Sequence, residues 1–379
     1  MKRAVAAVLT GTLLLIGCAR PKPPEISASE LPQVSPDAVL AETEEITQDM
    51  PSSEPQVLVR AQFPTAVRLS SDHRLFFTDR AGRLWVLGLL DKAKAPPSAT
   101  LLQEFAVSTA GERGLLGLAL HPDFPRVPYV YVFLSPASNL VISQVRRLRL
   151  EGSKVTENQV IIELPAGTGC CHKGGRLEFG PDRKLYVTLG ENLVPPAAQD
   201  EEDLRGKILR YNDDGSIPDD NPFGPGNPVW AVGLRNPFGL AFSPEGVAFA
   251  TDNGPSGGDG PSCCDEVNRI EPGANYGWPD SFGSRYKGGV PPIWHSGDRA
   301  VVPTGIVVIS SPRFQALRGA LAFCTFVDRR MFVIDQEGRA WSQGLEMEGI
   351  GPDGCTLDIT QGPDGRLYFS SYDTIFVWG

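Results

Sequence analysis

From about residue 57 onward the chain keeps returning to one unit: an apolar, alternating strand, a turn carrying Asp or Gly, and a second apolar strand. The unit reads AVRLSSDHRLFFTD at 66–79, GLALHPDFPRVPYVYVFLS at 117–135 and GRLEFGPDRKLYVTLGE at 175–191. It returns as GLAFSPEGVAFATDNG at 239–254, more loosely as IVVISSPRFQALRGALAFCTF at 306–326, and as LDITQGPDGRLYFSSYD at 357–373. Segments such as GRLWVLG, SQVRRLRL, GKILRYN and RRMFVID read as further, outer strands between the copies. In the turns Pro presets φ, Asp bonds back to its own backbone and Gly accepts positive φ, so the chain reverses for a physical reason. One unit cannot cover both of its faces, so successive units must stack. Six copies about 45–60 residues apart predict an all-β chain, a six-bladed β-propeller. A pair of β-sandwiches is the competing reading. QVLVRAQF at 56–63 is expected to complete the blade whose other strands end in TIFVWG. In a propeller the loops that enter the inner strands gather at one mouth, however distant in sequence.

Composition agrees with many short strands joined by turns: 41 Gly and 34 Pro in 379 residues. A net charge of −10 argues against a nucleic-acid partner, since phosphate binding needs a basic face. The N-terminus is a targeting segment. Met1-Lys2-Arg3 is basic, residues 4–17 are apolar and too short to span a bilayer as a permanent helix, and the run ends in Gly17-Cys18. That pattern reads as a bacterial lipoprotein signal (residues 1–17), with Cys18 lipidated and the protein exported and anchored to a membrane. An ordinary secretory signal is the plainer alternative. Residues 18–55 are rich in Pro, Ser and acids and read as a disordered tether. The domain proper is expected over 56–379.

Beyond Cys18 there are six cysteines: Cys170, Cys171, Cys263, Cys264, Cys324 and Cys355. An even number in an exported chain favours disulfides, and sequence alone cannot choose among fifteen pairings. Thiolates together with His172 holding copper or zinc are the other reading. Around the expected mouth the repeat also gathers Gly111-Glu112-Arg113-Gly114, Arg235-Asn236-Pro237 and Asp252-Asn253-Gly254-Pro255. Glu112 and Arg113 are candidates to pair with each other on the rim. His73, His121 and His295 read as structural or surface residues, and Asp213-Asp214-Gly215 as a β-turn.

Six motifs in order, GERGLLGLALHPDF, HKGGRLEFGPDRKLYVTLGE, LRGKILRYNDDGSIPDDNPF, VWAVGLRNPFGLAF, DNGP…DEVNRIEPGANYGWP and TQGPDGRLY, resemble the soluble aldose sugar dehydrogenases, the glucose/sorbosone dehydrogenase family. The resemblance runs over about residues 57–379. It implies a six-bladed propeller that uses pyrroloquinoline quinone (PQQ) and calcium to oxidise an aldose at C1 to a lactone. It further implies His172 as the general base, oriented by Glu191, with Arg235 and Asn236 facing the cofactor. The carbonyls of Gly254 and Pro255 would bind calcium, and Glu266 and Tyr276 a second, structural calcium. Electrons would pass on to a membrane acceptor.

The chain departs from the family pattern at one wall. Where many members carry Arg-x-Arg-Asp it reads Cys355-Thr356-Leu357-Asp358, and AFCTF offers Cys324 where many have a lysine. Three cationic partners for a tricarboxylate cofactor are thereby missing. The same alignment places all six cysteines at one mouth, with Cys324–Cys355 as one bridge and the two Cys-Cys pairs cross-linked or vicinal. Two further functions stay open: a propeller that binds a glycan, peptide or other ligand at its mouth, and a calcium-dependent hydrolase or lactonase.

Overall fold

The computed structural model describes residues 54–88, 98–345 and 354–379. The signal, Cys18 and most of the tether lie outside the described residues. Twenty-four strands form six four-stranded antiparallel sheets. The first blade is β2 (Pro64–Leu69), β3 (Arg74–Asp79), β4 (Arg83–Gly88) and β5 (Thr100–Glu104). The second is β6 (Leu115–Leu120), β7 (Tyr129–Leu134), β8 (Ile142–Glu151) and β9 (Lys154–Pro165). The third is β10 (Leu177–Phe179), β11 (Leu185–Leu189), β12 (Lys207–Tyr211) and β13 (Val229–Ala231). The fourth is β14 (Pro237–Phe242), β15 (Ala248–Asp252), β16 (Glu266–Ile270) and β17 (Trp294–His295). The fifth is β18 (Pro303–Val308), β19 (Leu321–Thr325), β20 (Met331–Ile334) and β21 (Ala340–Leu345). The sixth is β22 (Ile359–Gln361), β23 (Leu367–Ser370) and β24 (Thr374–Trp378), completed by β1 (Gln56–Arg60).

The expected closure is present: β1 pairs antiparallel with β24, from Gln56 opposite Val377 to Arg60 opposite Thr374. The ring is also sealed by packing, because Val67 and Phe77 of the first blade share one apolar cluster with Tyr368 and Ile375 of the sixth. Buried hydroxyls join neighbouring blades near the mouth. Thr65 Oγ1 donates to the Leu115 carbonyl (2.6 Å), Thr251 Oγ1 to Thr304 (2.8 Å), Thr304 Oγ1 to Thr356 (2.9 Å) and Ser370 Oγ to Pro64 (3.1 Å). A buried hydroxyl left without an acceptor is costly, so these bonds fix which blade sits beside which.

The repeated turn is built twice in the same way. In GPDRKLY the Tyr186 hydroxyl donates to Asp182 (3.0 Å), and in GPDGRLY Tyr368 donates to Asp364 (2.7 Å). The residue after Asp takes positive φ in both, +65° at Arg183 and +79° at Gly365. Only the second is a residue that adopts that conformation freely.

Four charged side chains meet in the central channel below the mouth. Asp358 Oδ2 accepts from the Val67 N–H (2.8 Å) and from Arg68 (2.9 Å), and lies 3.3 Å from Arg176. Arg68 also pairs with Glu178 at 2.9 Å. The network ties β2 and β10 to the loop before β22 across the axis.

Candidate functional site

The base loop is fixed from several directions. His172 is buried, with φ +57°. Its N–H donates to Glu112 Oε2 (2.7 Å), which also accepts from the Lys173 N–H (3.3 Å) and from Asn236 Nδ2 (3.4 Å). Glu112 therefore anchors this loop rather than pairing with Arg113, whose guanidinium donates to the Leu140 and Gly167 carbonyls. Two glycines permit the close packing. A Cβ on Gly111 would lie 2.3 Å from the Cys170 carbonyl oxygen, and one on Gly190 2.3 Å from that of His172.

The expected partner of His172 is in place. Glu191 Oε1 contacts His172 Nδ1, and the Glu191 N–H donates to the Arg235 carbonyl (2.8 Å). Glu191 is fully buried, and its Oε2 has no hydrogen-bond partner among the described residues. With Nδ1 held by a carboxylate, the imidazole keeps one orientation and Nε2 stays available. Lys173, next along, is buried with its ammonium on the Ala166 carbonyl and on Asn192 Oδ1 (2.7 Å). Burial and then the nearby Arg113 cation lower its pKa to about 8.

Arg235 and Asn236 stand immediately before β14, so the strand start fixes where they point. Both backbone N–H groups donate to Asp252, at 2.9 and 2.6 Å. The Arg235 guanidinium lies over the Trp278 ring at 5.4 Å and donates to Asp259 Oδ2 (2.7 Å), the Asn253 carbonyl (2.8 Å) and Ser256 Oγ (3.2 Å). Asn236 Oδ1 accepts from the Gly174 N–H (3.1 Å). His172, Glu191, Arg235 and Asn236 are thus brought together as expected.

Gly254 and Pro255 follow β15. The Gly254 N–H donates to Asp265 (2.9 Å), and the Pro255 carbonyl accepts from the Cys263 N–H (3.1 Å), which leaves it a second lone pair. Glu266 and Tyr276 both line a small cleft with Arg235, Asp252, Gly254 and Trp278, about 210 Å³ including the solvent at its opening. The Tyr276 hydroxyl is already engaged, donating to the Arg269 carbonyl (2.7 Å) and accepting from the Glu271 N–H (3.0 Å). Three buried carboxyls surround this region. Burial raises Asp252 to about 6; burial, then repulsion from Asp252, raises Glu266 to about 8; burial also raises Asp265. Carboxyls raised in this way mark a place where a cation would be welcome.

All six cysteines are paired: Cys170 with Cys171, Cys263 with Cys264, and Cys324 with Cys355. The adjacent pairs are vicinal rather than cross-linked. No thiolate is left for a copper or zinc site, so the disulfide reading holds. Cys324 and Cys355 are fully buried in an apolar cluster shared by the fifth and sixth blades. That wall of the mouth carries sulfur where cations would stand.

The donors on the His172 side fit an anionic cofactor. Arg235 demonstrably holds a carboxylate, that of Asp259, and a ligand carboxylate could take the same N–H groups. The carbonyls of Gly254 and Pro255, backed by buried carboxyls, suit calcium.

The sequence model of the family described as Glucose / Sorbosone dehydrogenase matches residues 61–374. The chain is 31% identical over 327 residues to the aldose sugar dehydrogenase YliI of Escherichia coli (strain K12), covering 79% of this chain and 84% of that one. It is 33% identical over 257 residues to quinoprotein glucose dehydrogenase B of Acinetobacter calcoaceticus, covering 60% and 52%. Among solved structures it is similar to the PQQ-bound form of aldose sugar dehydrogenase from Streptomyces coelicolor. That match has 27% identity and a TM-score of 0.72, and covers 86% of this chain and 96% of that one.

Proposed function

We propose that this protein, which belongs to the glucose/sorbosone dehydrogenase family, is an oxidoreductase that oxidises an aldose or related alcohol at C1 to a lactone, with PQQ and calcium. The observation that carries the reading is the buried His172–Glu191 pair beside Arg235 and Asn236. When bound, the calcium-polarised quinone supplies a two-electron acceptor for the hydride. His172 Nε2 takes the proton of the sugar hydroxyl, because Nδ1 is held by Glu191 and Nε2 is the ring nitrogen left to accept it. Glu191 then stabilises the imidazolium. Glu112 holds the loop so that the ring does not swing away. Arg235 and Asn236 would hold the cofactor, Gly254 and Pro255 its calcium, and Glu266 with the Tyr276 segment a second, structural calcium.

We further propose that the protein is exported, anchored to a membrane through lipidated Cys18 and coupled to an acceptor there; the support is the pattern of residues 1–18. A ligand-binding propeller without redox function is the second reading. It is favoured by one observation, the buried Cys324–Cys355 bridge, whose cysteines stand at positions where the family pattern leads one to expect cations.

Reconstitution separates the two readings. The mature chain, disulfides intact, is given calcium and PQQ, and cofactor binding is measured before dye-linked oxidation of an aldose panel. Binding with turnover that disappears in His172→Ala is the expected result. Absence of binding at micromolar PQQ would sink the quinoprotein reading and leave the ligand-binding one.

A further inference from the structure

Asp259 has no part in the chemistry described above, yet it stands beside the base. It belongs to the loop GPSGGDGPS at 254–262, where Cβ atoms on Gly257 and Gly258 would meet nothing within 4 Å. Ligand atoms of His172, Glu191 and Asp259 lie within 4.8 Å of one another. We propose that these three side chains form a binding site for a divalent first-row transition-metal ion of the zinc class.

Geometry and chemistry both support this. Ligand atoms on a tetrahedral zinc stand about 3.3 Å apart, so small side-chain rotations close the set. Asp259 comes from a loop with the freedom to make them. One imidazole nitrogen and two carboxylates, with a fourth position open to water, suit zinc. Calcium, which takes six to eight oxygens, is poorly served by the same set. Asp259 uses Oδ2 for Arg235 and Oδ1 for the Ser256 N–H, but a carboxylate has about four acceptor sites and can bridge.

A second observation is independent of this proximity. Glu191 Oε2 is a buried carboxylate oxygen with no partner among the described residues. Buried acceptors are nearly always satisfied, and an orphan beside a histidine and another carboxylate marks a missing cation. The metal replaces the contact between His172 and Glu191. Resting on the base reading above, its occupation therefore takes His172 out of service.

The test uses the mature full chain, cleared of trace metals by chelator and kept in millimolar calcium. Zinc is titrated by calorimetry into wild type and Asp259→Asn, and cobalt is added to both as a visible-absorption reporter. Wild type should bind one zinc per chain at micromolar concentration or tighter, with calcium unable to displace it. Asp259→Asn should weaken binding at least tenfold and change the cobalt spectrum. Zinc that fails to bind wild type, or binds both proteins equally, overturns the site. Turnover of the reconstituted enzyme is followed in parallel, and half-inhibition should fall at the zinc concentration that half-fills the site. Zinc bound through Asp259 without inhibition would overturn the link to the base. A protein with no turnover would defeat the dehydrogenase reading and leave the zinc result to stand or fall by itself.

Discussion

The two walls of the mouth are built on opposite principles. On the His172 side, loops from the second, third and fourth blades bring buried charges together, and nearly every one has a named partner. On the far side, the fifth and sixth blades meet through a disulfide sunk among Phe314, Phe369 and Trp378. The first wall is poised for proton transfer and ion binding at the expense of stability, since buried charges disfavour the fold unless paired. The bridge in the second wall contributes stability through cross-linking and apolar burial. Among the described residues, the buried and partnered acids and bases around His172 all belong to the first wall.

The contrast can be broken by mutation. The largest expected effect is on the polar wall: His172→Ala should lower kcat of the reconstituted enzyme by about 10²–10⁴, the usual range for losing a general base. Its melting temperature should fall as well, because the buried Glu191 carboxylate loses its partner, so His172→Gln serves as the milder control. The double substitution Cys324→Ser with Cys355→Ser should act on stability alone. Removing a bridge that closes 31 residues of chain should cost about 3–4 kcal/mol of stability in thermal unfolding, with less than a tenfold change in kcat.

A third test uses pH in the protein freed of divalent cations. Glu266 titrates at about 8 when folded, against a reference value of 4.5. The folded state therefore holds a proton that the unfolded state has lost, and stability falls as pH rises from 4.5 to 8, by on the order of 5 kcal/mol. Calcium should flatten that slope in wild type, and Glu266→Gln should shrink it without calcium, leaving the part that Asp252 contributes at the lower end of the window. A denaturant midpoint unchanged across that window in wild type would refute the account. The smallest effect is expected from Glu112→Gln. It keeps the shape but weakens the acceptor for two backbone N–H groups, so kcat should fall several-fold, about 1 kcal/mol, with the far wall untouched.

What could be read from the sequence follows from how local each signal is. Alternation and Pro-Asp turns act over a few residues, so all six blades and the closing role of 56–60 were visible in the chain itself. His172 and Glu191 are visible as a pair because the resemblance aligns them with a base and an orienting carboxylate, although the family usually has aspartate at the second position. Glu112 was visible only as one of the residues gathered at the mouth. Its actual partners lie 60, 61 and 124 positions away, and no periodicity announces such contacts. Asp259 was hidden for the same reason: it stands in a glycine-rich loop with no repeat and meets Arg235 only after folding. For the cysteines, adjacency could not distinguish a vicinal bridge from a cross-link, since that depends on where the loops end up.

The channel network has a consequence for traffic. Arg68, Arg176, Glu178 and Asp358 meet across the axis, with Arg176 and Asp358 almost fully buried. They form a floor, and a floor turns a tunnel into a well. In a well, whatever delivers electrons and whatever collects them must use the same doorway. The sugar must leave before the acceptor can approach, so the kinetics should be ping-pong, with each of the two competing against the other at high concentration.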